Sequence, residues 1–122
     1  MILKILIVGS GSFLGGAARY LISSLMKGHS TSFPWGTLTV NLAGCFLIGF
    51  MYALLSRYLT TSSNWFLLLI TGLCGGFTTF STFANESLSM IQNGNIWGFT
   101  AYICASIIGG ILLTYLGYLL IK

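Results

Sequence analysis

The sequence predicts an all-α membrane protein of four transmembrane helices with a broken third helix, and three observations carry that reading. Hydrophobic residues make up 56% of the chain and charged residues only 5%, with a mean hydropathy of +0.94. A soluble domain has about a quarter charged residues, so this chain cannot build a wetted surface. Four apolar runs each reach the roughly 20 residues that cross a bilayer. Inside the third run, "GLCGGFTTFSTF" gathers glycines and hydroxyls where the neighbours are Leu, Ile and Phe. At 122 residues the chain is read as a single domain, 1–122.

The first span covers about residues 2–25, interrupted only by Lys4 near its start and Arg19 near its end. Gly11, Gly15 and Ala18 lie at helical spacing, which predicts close approach of a second membrane helix. A cleavable signal peptide is the competing reading of "MILKILIVGSGSFLGGAA", but the apolar pattern continues past Arg19. Gly9, Gly11 and Gly15 lack the strand-to-helix switch and downstream acid of a dinucleotide fingerprint. The second span, about 35–55, opens behind Pro34, whose missing donor costs nothing in a first turn. In the third, about 65–90, Gly72, Gly75 and Gly76 precede Thr78 and Thr79 and weaken the helix, predicting a break near Gly75 to Thr79. Unwound backbone at that depth is tolerated only when buried in protein or facing water. The fourth span covers about 96–121. Trp35, Trp65 and Trp97 each stand at the start of a span, as interfacial aromatics do.

Four spans place both termini on one side. That side collects Lys4, Arg57 and Lys122, the other Arg19 and Lys27. This near-neutral split predicts insertion in both orientations. Because four helices make a thin wall, it also predicts an antiparallel, dual-topology homodimer. The scattered cations form no nucleic-acid footprint. There is no Asp, one His (His29) and one acid (Glu86), while Cys45, Cys74 and Cys104 have no metal-ligand spacing. Catalytic dyads, triads and carboxylate metal sites lack their parts, so no enzyme is expected.

The polar residues within the spans are the candidates for function. A break would free carbonyls for a cation and a half-helix N-terminus for an anion. Phe80 and Phe83, three residues apart, share a helix face. Periodicity alone reads them as packing, although aromatic edges are partially positive; Ser81 and Thr82 face elsewhere. Asn41, in "GTLTVNLAG", is either interhelical glue worth about 0.6–2 kcal/mol or a donor to a passing anion. Thr37, one turn earlier, extends the same face. Arg19 is either a snorkelling side chain or an anion-attracting vestibule charge. Glu86 pairs with a cation or caps a polar network, and lies too near the span's end to be a midplane acceptor.

The stretches "GGFTTFSTF" at 75–83, "GTLTVN" at 36–41 and "GGAAR" at 15–19 closely resemble the Fluc/CrcB fluoride channel family, and the resemblance covers essentially the whole chain. It implies a dual-topology antiparallel homodimer with two separate fluoride pores. Asn41 then matches the pore-lining asparagine, and Phe80 and Phe83 the paired pore phenylalanines. Ser81, Thr82 and Thr37 match hydroxyl positions near the path, Arg19 the vestibule arginine, and Tyr102 and Thr114 polar positions of the fourth helix. Gly75 and Thr78 match the break whose carbonyls, from both subunits, hold a structural sodium ion. Many relatives carry serine where this chain has Gly110, which removes one hydroxyl from the route. The implied function is passive, gradient-driven export of fluoride from the cytoplasm to relieve its toxicity. No ATP site is required. The expected partners are fluoride, membrane lipid and a second copy, in a bacterial plasma or inner membrane, since no targeting extension is visible.

Two alternatives stand beside this reading. A small multidrug-type proton-coupled transporter is also short, four-helical and dual-topology, but needs a carboxylate in its first helix, and the first span here has none. A non-transporting membrane assembly subunit would use Asn41 as glue, Phe80 and Phe83 as packing, and the glycines for close contact.

Overall fold

The computed structural model describes residues 1–26 and 33–121; Lys27, His29 and Lys122 lie outside the described residues. Among those described there is helix and turn but no strand. Helix α1 is Ile2–Met26 and α2 is Trp35–Leu55. The third span starts as α3 (Asn64–Phe66), winds as a π-helix over Leu67–Cys74 and continues as α4 (Gly75–Phe77). After an interruption it resumes as α5 (Ser81–Gln92), and α6 is Ile96–Ile121. Four segments, Ile2–Met26, Trp35–Leu55, Asn64–Gln92 and Ile96–Ile121, are long and apolar enough to cross a membrane.

Short local devices set the boundaries. Pro34 directly precedes α2, where a fixed φ and a missing donor suit a helix start. The Ser63 hydroxyl accepts the Phe66 N–H at 3.1 Å and caps the third span. Asn95 Oδ1 accepts the Gly98 N–H at 3.0 Å and caps α6. Gly94, with φ of 77°, turns the chain between α5 and α6 in a conformation that side chains disfavour.

Packing pairs α2 with α6, and α1 with the π-helical and α4 parts of the third span. Both interfaces are built from glycine. Gly11 and Gly15 on α1 are buried against the third span. A Cβ at Gly72 would stand 2.8 Å from the Val8 carbonyl oxygen, and one at Gly76 would stand 2.7 Å from that of Ser12. On the other side, Gly49 abuts the Thr114 backbone, and a Cβ at Gly117 would lie 2.7 Å from the Phe50 nitrogen. Close approach lets dispersion and polar contacts act where lipid supplies no hydrophobic drive. The buried cluster is correspondingly small, with Leu38, Phe83, Met90 and Tyr102 at its centre. Phe13, Leu14, Ile111 and Leu120 are exposed, the pattern of a surface solvated by hydrocarbon.

The helix of the third span stops at Phe77. Thr78 takes an extended backbone (φ −89°, ψ 161°), whereas Gly75 itself is helical (φ −62°, ψ −38°). The departure thus falls at the threonines, and Gly72 and Gly76 serve the contact with α1.

Gly15→Val should disrupt this packing, because a Cβ there meets the Leu73 carbonyl and would lie 2.8 Å from the Phe77 nitrogen. Backbone cannot step aside as a flexible side chain can, so we expect a loss of about 1–3 kcal/mol, typical of overpacking. Gly9→Ala, with nothing within 4 Å, should be neutral. Denaturant titration of both variants in detergent checks this.

Candidate functional site

Where the third span is interrupted, its backbone must find partners elsewhere, and Asn41 supplies them. The Thr79 N–H donates to Asn41 Oδ1 at 2.9 Å, and Asn41 Nδ2 donates to the Thr79 carbonyl at 3.0 Å. The carboxamide therefore pairs with the Thr79 peptide group as a second backbone would. In an unbroken helix the Thr79 N–H would close a turn on the Gly75 carbonyl; here it is diverted. Thr78 Oγ1 donates back to the Cys74 carbonyl at 3.2 Å, which also accepts the Thr78 N–H at 3.2 Å. Thr79 Oγ1 accepts the Thr82 N–H at 3.3 Å and donates to Thr82 Oγ1 at 3.2 Å, so it caps the half-helix α5. Ser81 Oγ lies 3.5 Å from the same hydroxyl.

Beside this clamp lies a groove of about 380 Å³ between α2, the interruption and α6. Asn41, Thr78, Thr79, Phe80, Phe83 and Ser106 are among its lining residues. At about 30 Å³ per liquid water, it has room for a partly hydrated small ion. None of its lining residues is charged. Phe80 is 78% exposed in the single chain while Phe83 is buried, and their ring centroids are 5.8 Å apart. The shared face read from their spacing brings the two rings together at the groove.

The other predicted residues divide into separate groups. Thr37 Oγ1 donates to Glu86 Oε2 at 3.1 Å and the Tyr102 hydroxyl donates to Glu86 Oε1 at 2.9 Å. The sole acid is thus held by donors from α2 and α6, a polar network rather than an ion pair. Tyr102 is fully buried and its ring lies 5.0 Å from that of Phe83, joining this cluster to the groove. Thr114 Oγ1 donates to the carbonyls of Cys45 (3.1 Å) and Gly110 (2.9 Å), which commits its proton to backbone. Arg19 stands on the α1 side of the third span, where its Nε donates to the Gly76 carbonyl at 3.2 Å; it does not line the groove.

Two residues are central here beyond the predicted site residues; the sequence reading named Thr79 only as the end of the break, and did not name Ser106. Thr79 is the pivot of the interruption, held by Asn41 through its backbone and capping α5 through its side chain. Its place two residues before the resumed helix was the available signal. Ser106 lines the groove, and its Oγ is buried with no hydrogen-bond partner among the described residues. It lies one turn beyond Tyr102, a spacing that puts both on one face of α6.

The description "CrcB-like protein, Camphor Resistance (CrcB)" belongs to the family model that matches residues 6–118. The chain is 48% identical over 118 residues to the fluoride-specific ion channel FluC of Chlorobium phaeobacteroides, covering 97% of this chain and 92% of that protein. It is 43% identical over 122 residues to the FluC of Leptospira interrogans, covering 98% and 94%. With the FluC of Aquifex aeolicus it shares 46% identity over 114 residues, covering 93% and 92%. On a match of that extent, from the first span to the last, the chain belongs to the CrcB family.

Proposed function

We propose that this multi-pass membrane protein is a fluoride-selective ion channel and not an enzyme. The observation that carries the proposal is an uncharged groove at the interruption of the third span, lined by donors and two phenylalanine rings. Its family relatives bear the name of fluoride-specific channels.

Fluoride crossing the membrane must exchange its hydration shell for protein donors without being trapped. Asn41 spends one amide proton on Thr79 and keeps a second on Nδ2. Thr82 accepts from Thr79 and so keeps its own hydroxyl proton to donate. The Ser106 hydroxyl is unpartnered, and the ring edges of Phe80 and Phe83 add partial positive charge. These groups stabilise an anion in a low-dielectric site, where each hydrogen bond is stronger than in water. The groove carries no ring of carboxylates of the kind that admits cations. Thr37 and Tyr102 keep Glu86 engaged at the edge of this region, and Arg19 braces the Gly76 carbonyl from the α1 side of the same span. Transport is passive, and the gradient sets net export from the cytoplasm of a bacterial cell.

The working unit in this reading is an antiparallel homodimer with two pores. The open polar groups of the groove are unsuited to lipid contact, and a second copy would close it. Bound sodium fits the same arrangement. The Gly75 carbonyl has lost its helical donor and the Thr78 carbonyl leaves the helical ladder through an extended backbone. Unwound carbonyls at half-helix ends suit Na⁺. Two oxygens from one chain are too few, so the partner copy must contribute the equivalent pair. The ion would tie the two interruptions together without entering the conduction chemistry.

Fluoride efflux from proteoliposomes, followed with a fluoride electrode and with valinomycin clamping the potential, tests the function. Fluoride release that needs the potassium shunt, with chloride retained, is expected; retained fluoride from folded protein would sink the channel reading. Phe80→Ile should cut flux at least tenfold while the elution volume of the assembly is unchanged. Loss of flux and assembly together would favour a packing subunit. Ser106→Ala removes one donor, worth about 1–3 kcal/mol when an ion is desolvated, and should lower flux roughly 5- to 150-fold.

A further inference from the structure

Three grooves run end to end along the α2–α6 side of the molecule. The one at the interruption shares Cys45, Ser106 and Ile107 with a second, which continues past Gly110 and Thr114 to Tyr118. The second shares Thr114 and Tyr118 with a third, which ends at Ser56, Arg57 and Ile121. The trough thus extends from the clamp at Asn41 to the ends of α2 and α6, and its first junction is the one at Cys45, Ser106 and Ile107.

At that junction Cys45 and Gly110 are matched in size. A Cβ on Gly110 would stand 3.1 Å from Cys45 Sγ, so the sulfur occupies the space that a larger residue at 110 would claim. Cys45 is half-buried rather than sealed in the core, unlike Cys74. Across the junction the buried Ser106 hydroxyl has no partner among the described residues. The thiol and this hydroxyl are the polar side-chain groups common to both grooves.

We propose that Cys45 is a modification site for small, neutral sulfur electrophiles, and that a group attached to its sulfur closes the trough at the junction. The closure rests on the reading of the trough as the ion route; the site itself does not. Methyl methanethiosulfonate is the probe. The Cys45 thiol gives its proton to water and the thiolate attacks the sulfenyl sulfur. A new S–S bond forms, the S–SO₂ bond breaks, and methanesulfinate leaves with the electron pair. The product carries an S-methyl disulfide beside Ser106, in space that a Gly110 Cβ could scarcely share. Cys104, exposed on the outer face of α6, is modified in parallel without consequence for the junction.

The test treats folded protein in proteoliposomes with the reagent, maps each cysteine by mass spectrometry and measures fluoride efflux on the same sample. We expect a methylthio adduct (a mixed methyl disulfide) on Cys45 and at least a tenfold loss of flux, reversed by dithiothreitol. Cys104→Ala should remain equally sensitive, whereas Cys45→Ala should keep its own starting flux after treatment. An unmodified Cys45 under conditions that label Cys104 would overturn the site. A labelled Cys45 with undiminished flux, or an equal loss in Cys45→Ala, would overturn the closure. Absence of flux before treatment would instead overturn the channel reading, and the labelling map would still decide the site.

Discussion

Hydrocarbon offers no hydrogen bonds, so a helix that breaks inside a membrane must be given partners for the backbone it frees. The rest of this structure follows from how that demand is met at Thr78–Phe80. A single carboxamide, Asn41, takes both the N–H and the carbonyl of Thr79. Thr78 and Thr79 satisfy neighbouring groups with their hydroxyls. The interruption is thereby a defined conformation, and α5 leaves it with Phe80 and Phe83 aimed at one groove.

Donor accounting then separates structure from function. Protons on Thr37, Tyr102 and Thr114 are committed, the first two to Glu86 and the last to backbone carbonyls. Those on Thr82, Ser106 and the second amide position of Asn41 are not. The uncommitted group borders the groove or stands at the interruption beside it, and the committed group surrounds or anchors it. A route for a small, strongly hydrated anion needs this division. Too few free donors would leave desolvation uncompensated, and a fixed cation in the groove would hold the ion too long.

Glycine makes the arrangement compact enough to work. Gly11 and Gly15 draw α1 onto the third span, and Gly49 and Gly117 draw α2 onto α6. The trough runs along the α2–α6 pair and meets the third span at the interruption, and the matched sizes of Cys45 and Gly110 set its dimensions at the junction. The π-helical turns at Leu67–Cys74 lie on the α1 side, where glycine tolerates their altered register.

Much of this was legible in the sequence because membrane physics is nearly one-dimensional. Four apolar runs, interfacial tryptophans and short loops define four membrane-capable helices whatever their packing. "GGFTTFSTF" marked where helix would fail, since glycine and threonine weaken it and hydrocarbon does not reward hydroxyls. Local spacing also placed Phe80 and Phe83 together. Tertiary structure decided the rest, because hydrogen-bond partners across helices are set by rotation and crossing that no local period encodes. It fixed the departure from helix at Thr78, within the expected range, and turned Asn41 toward Thr79. It assigned Thr37 and Tyr102 to Glu86, and it left Ser106 without a partner. The sequence by itself determined which groups could serve an ion inside a membrane; only the packing of α2 and α6 against the interruption decided which of their protons remain to be offered.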